Sequence, residues 1–270
     1  MIRTVVSYGL WAAIGLLALA WLPLLAVIFM ATAPFDPGRY RVGRWFRRSA
    51  VTAVKLIPFW DFRTDGVRIS DPRRPYVAVS NHESYADIFL ISHLPWEMKW
   101  LSKEAIFRIP VMGWMMRMAG DIPVRRGEVK SRAQALNEVR DRLRKQVSVI
   151  IMPEGTRSGN GDLLPFRDGA FRVAVETGTP VLPMAVAGTR NAMAKGSMRF
   201  NRARAVVRVL EPVETAGLGP KDVPALRDRV REMIASARSD LQREIYGATG
   251  ASGQGHPPGQ TRAETTDGAR

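Results

Sequence analysis

Cysteine is absent from the 270 residues, and histidine occurs only three times, at positions 82, 93 and 256. The absence of cysteine excludes disulfides, thiol nucleophiles and cysteine-bound metals. Acidic residues are also scarce, because 25 Asp and Glu stand against 40 Lys and Arg, which gives a formal net charge of +15. This charge favours anionic partners: nucleic acid, a lipid headgroup surface or a phosphorylated substrate. Acidic clusters and paired histidines with metal-ligand spacing are missing, so no metal site is predicted.

Charge of either sign is missing from Thr4 to Phe35, where the sequence is almost wholly apolar. A helix that crosses a membrane needs about 20 such residues. The segment is longer than the core of a signal peptide, roughly 7–15 residues, so we predict a retained membrane segment. Pro23 interrupts it and leaves two geometries open, one kinked helix or a re-entrant pair of short helices.

Five arginines follow the apolar segment, whereas Arg3 alone precedes it; the five are Arg39, Arg41, Arg44, Arg47 and Arg48. Because positive residues stay on the cytoplasmic side of a membrane, the body of the protein is predicted to face the cytoplasm. Residues 44–60 alternate basic with aromatic and aliphatic side chains, which fits an interfacial helix on anionic lipid or a helix packed on the domain. Anionic membrane lipid, and not nucleic acid, is therefore the predicted anionic partner.

Apolar runs and helical patterns alternate along the rest of the chain. The predicted strands are 76–80, 147–152, 181–188 and 203–210, and the predicted helices lie near 84–94, 104–119, 128–146, 167–177 and 222–246. This alternation indicates an α/β domain. We place a membrane-anchoring segment with the interfacial helix at 1–60, the α/β domain at 61–246, and a disordered Gly- and Pro-containing tail at 247–270, where His256 would be inert.

The stretch NHESYADIFL, residues 81–90, holds the first candidate for chemistry. Residues five apart on a helix are about 140° apart, so His82 and Asp87 can meet only if His82 precedes the helix. Ser84 and Asp87 match a capping box, which predicts that the helix starts at Ser84. A carboxylate can then fix the imidazole tautomer and leave the other nitrogen to accept a hydroxyl proton. The alternatives are that Asp87 only caps the helix, or that Ser84 is a nucleophile.

Two further stretches carry residues suited to an anionic ligand. In VSVIIMPEGTRSG a predicted strand runs into a loop where Gly155 permits close backbone approach, Glu154 can accept from a hydroxyl and Arg157 can bind a phosphate. In GDIPVRRGE, Arg125 and Arg126 follow an apolar run and would form a phosphate clamp. The alternative is that the loop is a solvated turn and the arginines are ordinary surface residues.

Together these stretches resemble the glycerolipid acyltransferases, and within them the 1-acylglycerol-3-phosphate acyltransferases. NHESYAD is similar to the first block of that family and MPEGTRS to the third. The second block resembles KEAIFRIPVMGWMMRMAGDIPVRRG, with Lys103, Pro110, Gly113 and Arg126 matching, and the fourth VLPMAVAG, with Pro183. Met152 and Arg125 depart from the pattern, in which phenylalanine and an acidic or amide residue are usual.

The resemblance implies a mixed sheet flanked by helices and transfer of an acyl group from acyl-CoA or acyl-carrier protein to the 2-hydroxyl of lysophosphatidate. His82 would be the base and Asp87 its orienter. The thioester would be a co-substrate, and no further cofactor is expected. The acyl chain would occupy a hydrophobic groove between the first and second blocks, and the glycerol phosphate would be held by Lys103, Arg125, Arg126, Glu154, Gly155, Thr156 and Arg157.

Three alternatives stay open at this stage. The acceptor could be another lysophospholipid or an amino-acid lysolipid. A membrane-tethered hydrolase would use Ser84, although the chain has no G-x-S-x-G elbow. A lipid-binding protein without catalysis would tolerate replacement of His82.

Overall fold

The structure of the protein, a computed structural model, describes residues 2–125, 127–158 and 161–247. Its strands are β1 (Trp60–Gly66), β2 (Val77–Ser80), β3 (Met98–Lys103), β4 (Ile122–Val124), β5 (Ser148–Ile151), β6 (Val181–Ala187) and β7 (Ala203–Val209). Its α-helices are α1 (Ile2–Thr32), α2 (Tyr40–Lys55), α3 (Ala86–Ile91), α4 (Met112–Ala119), α5 (Val129–Arg144), α6 (Gly169–Thr177), α7 (Thr189–Ala192) and α8 (Val223–Gln242). Short 3-10 turns at Glu104–Arg108 and Pro220–Asp222 and a π turn at Arg243–Gly247 complete the described elements.

The strands form one seven-stranded mixed sheet within the described residues, in the order β1-β7-β6-β2-β5-β3-β4. The five strands from β6 to β4 are parallel, whereas β7 runs antiparallel to β6 and carries β1 parallel to itself. The predicted α/β class with a mixed sheet flanked by helices is confirmed, and so are all four predicted strands.

Both faces of the sheet are covered, which explains why its central strands are continuously apolar. Val77 and Val79 of β2 pack with α5, α6 and α8, while Ala78 lies in the cluster with Leu90 of α3 on the opposite face. The alternation follows from the two-residue period of a strand. The core therefore fixes β2 and its neighbours, whose carboxyl ends carry the candidate site.

Helix α1 is a single helix of 31 residues that contains Pro23, so the alternative of a re-entrant helical pair is wrong. Within the described residues, Arg3–Thr32 is the one helix long and apolar enough to cross a membrane by length and composition. Its middle part lies against the rest of the protein: Trp11 Nε1 donates to Met198 O (2.8 Å), and Trp21 Nε1 donates to Trp45 O of α2 (3.1 Å).

Helix α2 packs on the domain, which was one of the two alternatives for residues 44–60. Its buried residues include Val42 and Phe46, and also Arg47, which forms an ion pair with Asp121 behind the sheet edge. Glu97 and Lys99 lie beside this pair with completely buried side chains 2.9 Å apart. Burial raises the pKa of Glu97 and lowers that of Lys99. Arg47 is consequently an internal residue that is not available to lipid.

The C-terminal segment from 248 to 270, with His256, lies outside the described residues. The predicted disordered tail therefore stays a prediction. The division of the chain at residue 60 also stays a prediction, although α1 and α2 contact the α/β domain extensively.

Candidate active site

Three neighbouring parallel strands, β6, β2 and β5, end at the same edge of the sheet. Ligand sites of α/β sheets lie beyond this edge. The loop after β2 carries His82, the loop after β5 carries Glu154 and Arg157, and β6 is followed by Thr189. Asn81 fixes the first of these loops, since its side chain accepts from Val186 N (2.8 Å) and donates to Val186 O (2.9 Å) in β6.

His82 and Asp87 form the expected pair. The imidazole Nδ1 lies 2.7 Å from Asp87 Oδ2, and Asp87 is completely buried while His82 retains 12% side-chain exposure. A carboxylate at Nδ1 requires the proton on that nitrogen, which makes Nε2 the acceptor. Asp87 Oδ2 also accepts from the backbone amides of Glu83 (2.9 Å) and Ser84 (3.1 Å), and its Oδ1 accepts from Thr189 Oγ1. These donors hold the carboxylate in one orientation.

The pair meets because His82 precedes the helix, as the spacing predicted. The regular helix starts at Ala86, two residues after the predicted start at Ser84. Half of the capping box is present, since Asp87 accepts from Ser84 N, while Ser84 Oγ accepts from Ala86 N (3.1 Å) and donates to Met193 O (2.7 Å). Both bonding roles of the Ser84 hydroxyl are therefore structural, which disfavours it as a nucleophile.

Glu154 ties the two loops together. Its Oε1 accepts from the backbone amide of His82 (2.7 Å) and its Oε2 from that of Leu164 (3.1 Å), while Ser158 N donates to His82 O (3.2 Å). Burial is the largest cause that raises the pKa of Glu154. Both carboxylate oxygens are thus engaged by backbone amides, and the structure gives Glu154 a role in holding His82. Its predicted role toward a substrate hydroxyl stays a prediction.

Gly155 is required by its backbone and by its neighbour. Its φ is +69°, and a Cβ at this position would lie 3.0 Å from Cζ of Arg167. Arg167 N donates to Pro153 O (3.0 Å), so the following segment folds back over this turn. The glycine therefore brings an exposed arginine side chain against the loop after β5, which the sequence analysis did not anticipate.

Arg157 points a cation into the site. Its guanidinium carbon lies 3.8 Å from the centre of the Tyr85 ring, a cation–π contact with the residue three positions after His82. Its Nη1 is buried and has no hydrogen-bond partner within the described residues. Leaving such a donor unsatisfied is costly, and an anion would satisfy it. The phosphate-binding role of Arg157 stays a prediction.

An apolar cavity of about 360 Å³ is lined by Tyr85 and Ile88, which are close to Asp87 in the sequence. It lies between the first and second blocks, where a hydrophobic groove was expected, and α1 and α2 add further walls. Tyr85 and Ile88 of the first block contribute to it, as do Ile109 and Met112 of the second. A smaller cleft of about 140 Å³ lies against Pro153 and Gly155 and includes Arg132 and Arg167. The turn after β5 thus lines a small cleft with cationic side chains, and Arg157 of the same loop stacks on the wall of the large apolar cavity.

The remaining predicted binding residues are less closely gathered. Lys103 and Thr156 are exposed, Lys103 at the end of β3. Arg125 is exposed and engaged by Glu104 and Glu128. Arg126 lies outside the described residues. The phosphate-binding roles of these residues stay predictions.

Four residues of the site escaped the sequence analysis: Glu83, Thr189, Arg167 and Arg238. Thr189 follows β6 directly, so the rule that places ligands beyond strand ends could have indicated it. Arg238 comes from α8, 155 positions after Glu83, which it contacts, and no local pattern marks it. The described residues contain no group of three or more His, Asp or Glu side chains that could hold a metal ion.

Comparison with known proteins identifies the family of the chain. A sequence model described as acyltransferase matches residues 62–187. A 1-acyl-sn-glycerol-3-phosphate acyltransferase of Chlamydomonas reinhardtii is 32% identical over 230 residues, which cover 83% of this chain and 67% of that protein. The chain belongs to the acyltransferase family.

Two further comparisons concern a plant relative and a solved structure. The chloroplastic 1-acyl-sn-glycerol-3-phosphate acyltransferase BAT2 of Brassica napus is 39% identical over 146 residues, 54% of this chain but 42% of that protein. This acyltransferase chain therefore spans less than half of that relative. The crystal structure of the 1-acyl-sn-glycerophosphate acyltransferase PlsC from Thermotoga maritima matches with a TM-score of 0.69 at 23% identity and covers 89% of this chain and 98% of that one. This likeness confirms the fold.

Proposed function

We propose that the protein transfers an acyl group from a thioester, acyl-CoA or acyl-carrier protein, to the 2-hydroxyl of lysophosphatidate, forming phosphatidate for phospholipid synthesis. One observation carries the proposal: the His82–Asp87 pair flanks Tyr85 in the sequence, and Tyr85 both lines a large apolar cavity and stacks on Arg157, whose Nη1 is buried and unpartnered within the described residues. A substrate with an acyl chain, a hydroxyl and a phosphate matches these three features. The names of the relatives support the same acceptor.

In the proposed reaction His82 Nε2 takes the proton of the acceptor hydroxyl as its oxygen bonds to the thioester carbonyl carbon. The carbon–sulfur bond of the tetrahedral intermediate then breaks, and the imidazolium returns the proton to the leaving thiolate. Asp87 stabilises the imidazolium that exists between the two steps, since its Oδ2 accepts from Nδ1 at 2.7 Å. The hydroxyl comes from the substrate, so the chain needs no nucleophilic serine.

The acyl donor and the phosphate-bearing acceptor would occupy different parts of the site. The acyl chain of the donor would lie in the cavity of about 360 Å³, whose walls are almost wholly apolar. The acceptor phosphate would meet Arg157, and Arg167 lies against Gly155 of the same loop. Arg126 keeps its predicted role in binding the phosphate. Arginine suits this task, because its planar guanidinium can bind two phosphate oxygens at once.

We also propose that α1 anchors the protein to a membrane with the α/β domain on the cytoplasmic face. The apolar length of α1 and the arginines that follow it support this placement. Large apolar side chains on α1 are exposed, among them Leu16, Leu19 and Val27. Lysophosphatidate and anionic lipid would be met at the same surface.

The decisive experiment replaces the base. His82→Ala should lower turnover of lysophosphatidate with oleoyl-CoA by at least about 10²–10⁴-fold, the usual contribution of a positioned base. Asp87→Asn should lose a similar amount, because an amide cannot stabilise the imidazolium. His93→Ala is the matched control, since His93 Nδ1 lies 2.8 Å from the backbone carbonyl of Phe89 in α3 and not against a carboxylate.

Each alternative has its own outcome in the same assay. Hydrolysis that depends on Ser84 and not on an acceptor would establish the hydrolase. Faster acylation of a different lysolipid would move the acceptor within the family. Unchanged turnover in a folded His82→Ala protein would remove the proposed mechanism.

A further inference from the structure

A second charged pair lies directly beside the catalytic pair. Glu83, the residue after His82, is 5% exposed, and its Oε1 accepts from Arg238 Nε at 2.9 Å. The Arg238 side chain is itself only 12% exposed. The backbone amide of Glu83 donates to Asp87 Oδ2, the same oxygen that holds the His82 ring. Any displacement of Glu83 therefore moves a donor of the catalytic carboxylate.

Arg238 reaches two loops at once. While its Nε donates to Glu83 in the loop after β2, its Nη2 donates to the carbonyl of Gly161, in the segment that follows the loop after β5. The first loop carries the base and the second carries Arg157. The guanidinium of α8 thus links the proton-accepting half of the site to its anion-binding half.

The pair is expensive for the folded protein. Burial is the largest cause that raises the pKa of Glu83, to about 7, with a further rise from Asp87, and Arg238 offsets only part of it. A glutamine or an apolar residue in this position would avoid the cost of a buried charge. Groups kept at such a cost cluster at functional sites.

We infer that Glu83 and Arg238 form a positioning pair, an inference that rests on the proposed acyl transfer. Through this pair α8 holds the loop that carries His82 and the loop that carries Arg157 in the relative position that catalysis requires. Neither residue contacts the reacting atoms. They act through the Asp87–His82 contact and through the Gly161 carbonyl. The specific function of this pair is therefore to raise kcat and not to bind either substrate.

The test compares kcat and KM of Arg238→Met, Glu83→Gln and the double variant. A positioning pair predicts that kcat falls about 10- to 100-fold while the KM for each substrate changes less than about threefold. The double variant should be no slower than the worse single variant, because both changes break one unit. Arg238→Lys should recover only part of kcat, since an ammonium cannot donate to both loops in the same geometry.

Arg231→Met is the matched control. Arg231 also belongs to α8 and donates to a backbone carbonyl of the same segment, Leu163 O at 3.1 Å, but it does not contact Glu83. If the role of Arg238 is only to stabilise α8, Arg231→Met and Arg238→Met should lower the melting temperature together and leave kcat of the folded protein alike. That result would overturn the inference.

A spectroscopic readout separates this inference from the proposed reaction. The chain holds three histidines, so selective ¹⁵N-histidine labelling of the full chain can assign the His82 ring. We expect a hydrogen-bonded Nδ1–H signal that is lost or shifted in Arg238→Met and kept in Arg231→Met. If the parent protein does not acylate lysophosphatidate, the proposed function fails, whereas this signal still decides whether the pair positions His82. An unchanged His82 signal together with an unchanged kcat would overturn the pair's role.

Discussion

Glu83 shows how a single residue can lower stability and still be needed at the site. Its carboxylate faces Arg238 from α8, Asp87 from α3, the backbone amide of Arg190 from α7 and Tyr246 from the C-terminal turn. Burial outweighs the favourable contacts, so the charged form is disfavoured in the folded state. The protein consequently pays a pH-dependent cost at this position.

This cost gives a pH prediction with a defined sign. The pKa of Glu83 rises on folding from 4.5 to about 7, so its ionisation costs the folded state nothing below about pH 4.5, and the loss of stability grows until the pH has passed 7. Above that pH the loss is roughly 2–4 kcal/mol. Glu83→Gln, which cannot ionise, should therefore gain stability relative to the parent between about pH 5 and pH 8.

Thermal unfolding of both proteins across this pH range measures the effect. The difference in melting temperature should grow with pH in favour of the glutamine variant, even though that variant is the slower enzyme. Asp228→Asn, at an exposed ion pair with Arg227, is the control and should show no such growth. A difference in melting temperature that stays constant with pH would mean that the pKa of Glu83 is not raised in the folded protein.

At this scale the sequence predicted the His82–Asp87 contact but not its surroundings. The H-x4-D spacing and the capping pattern were enough to bring His82 to Asp87, because both act over a few residues. Thr189 donates to Asp87 from 102 positions away, and Arg238 donates to Glu83 from 155 positions away. Only the topology of the sheet places them there, and spacing along the chain carries no information about it.

Among the elements, three strands were missed, for different reasons. β4 has only three residues, β1 is mostly exposed and polar, and β3 contains Lys99, whose side chain is completely buried. A search for apolar runs assigns such a lysine to the surface. Lys99 can be buried because Glu97, just before β3, pairs with it. Arg47 of α2 and Asp121, just before β4, form a second ion pair beside them.

The same cluster explains why α2 can form a rigid wall of the apolar cavity. A buried ion pair is costly to break, typically about 3–5 kcal/mol when one partner is removed. The Arg47–Asp121 contact therefore fixes α2 against the sheet edge, and Ala50, one turn further along α2, lines the cavity. The small side chain of Ala50 leaves the space that the acyl chain is proposed to occupy.

Filling this space should change the preference for acyl length. Ala50→Phe removes cavity volume, so it should slow transfer from oleoyl-CoA about 10-fold or more relative to octanoyl-CoA, since each buried methylene contributes about 0.8 kcal/mol. Thr52→Phe, on the same helix but outside the residues that line the cavity, is the control and should leave the ratio unchanged. Equal slowing of both donors by Ala50→Phe would show that the acyl chain lies elsewhere.

At the scale of the whole molecule, both the net positive charge and the exposed apolar side chains of α1 favour contact with a membrane. The net charge of +15 and the exposed side chains of α1 predict binding to anionic membranes by two separable terms. Helix α1 also lines the cavity through Trp11, Ile14 and Leu17. Deleting residues 1–35 would therefore remove part of the site as well as the anchor, and surface substitutions are the cleaner test.

Two double variants separate the terms in a vesicle-binding assay. Leu16→Gln with Leu19→Gln, at positions 68% and 55% exposed, should weaken binding to neutral and anionic vesicles alike. Arg41→Gln with Arg48→Gln should weaken binding to anionic vesicles only, by about 30-fold at low salt, since each basic residue contributes about 1 kcal/mol. Added salt should erase the second effect and leave the first, because salt screens charges but not apolar contact. Undiminished binding of the leucine variant to neutral vesicles would exclude α1 as the membrane-contacting element.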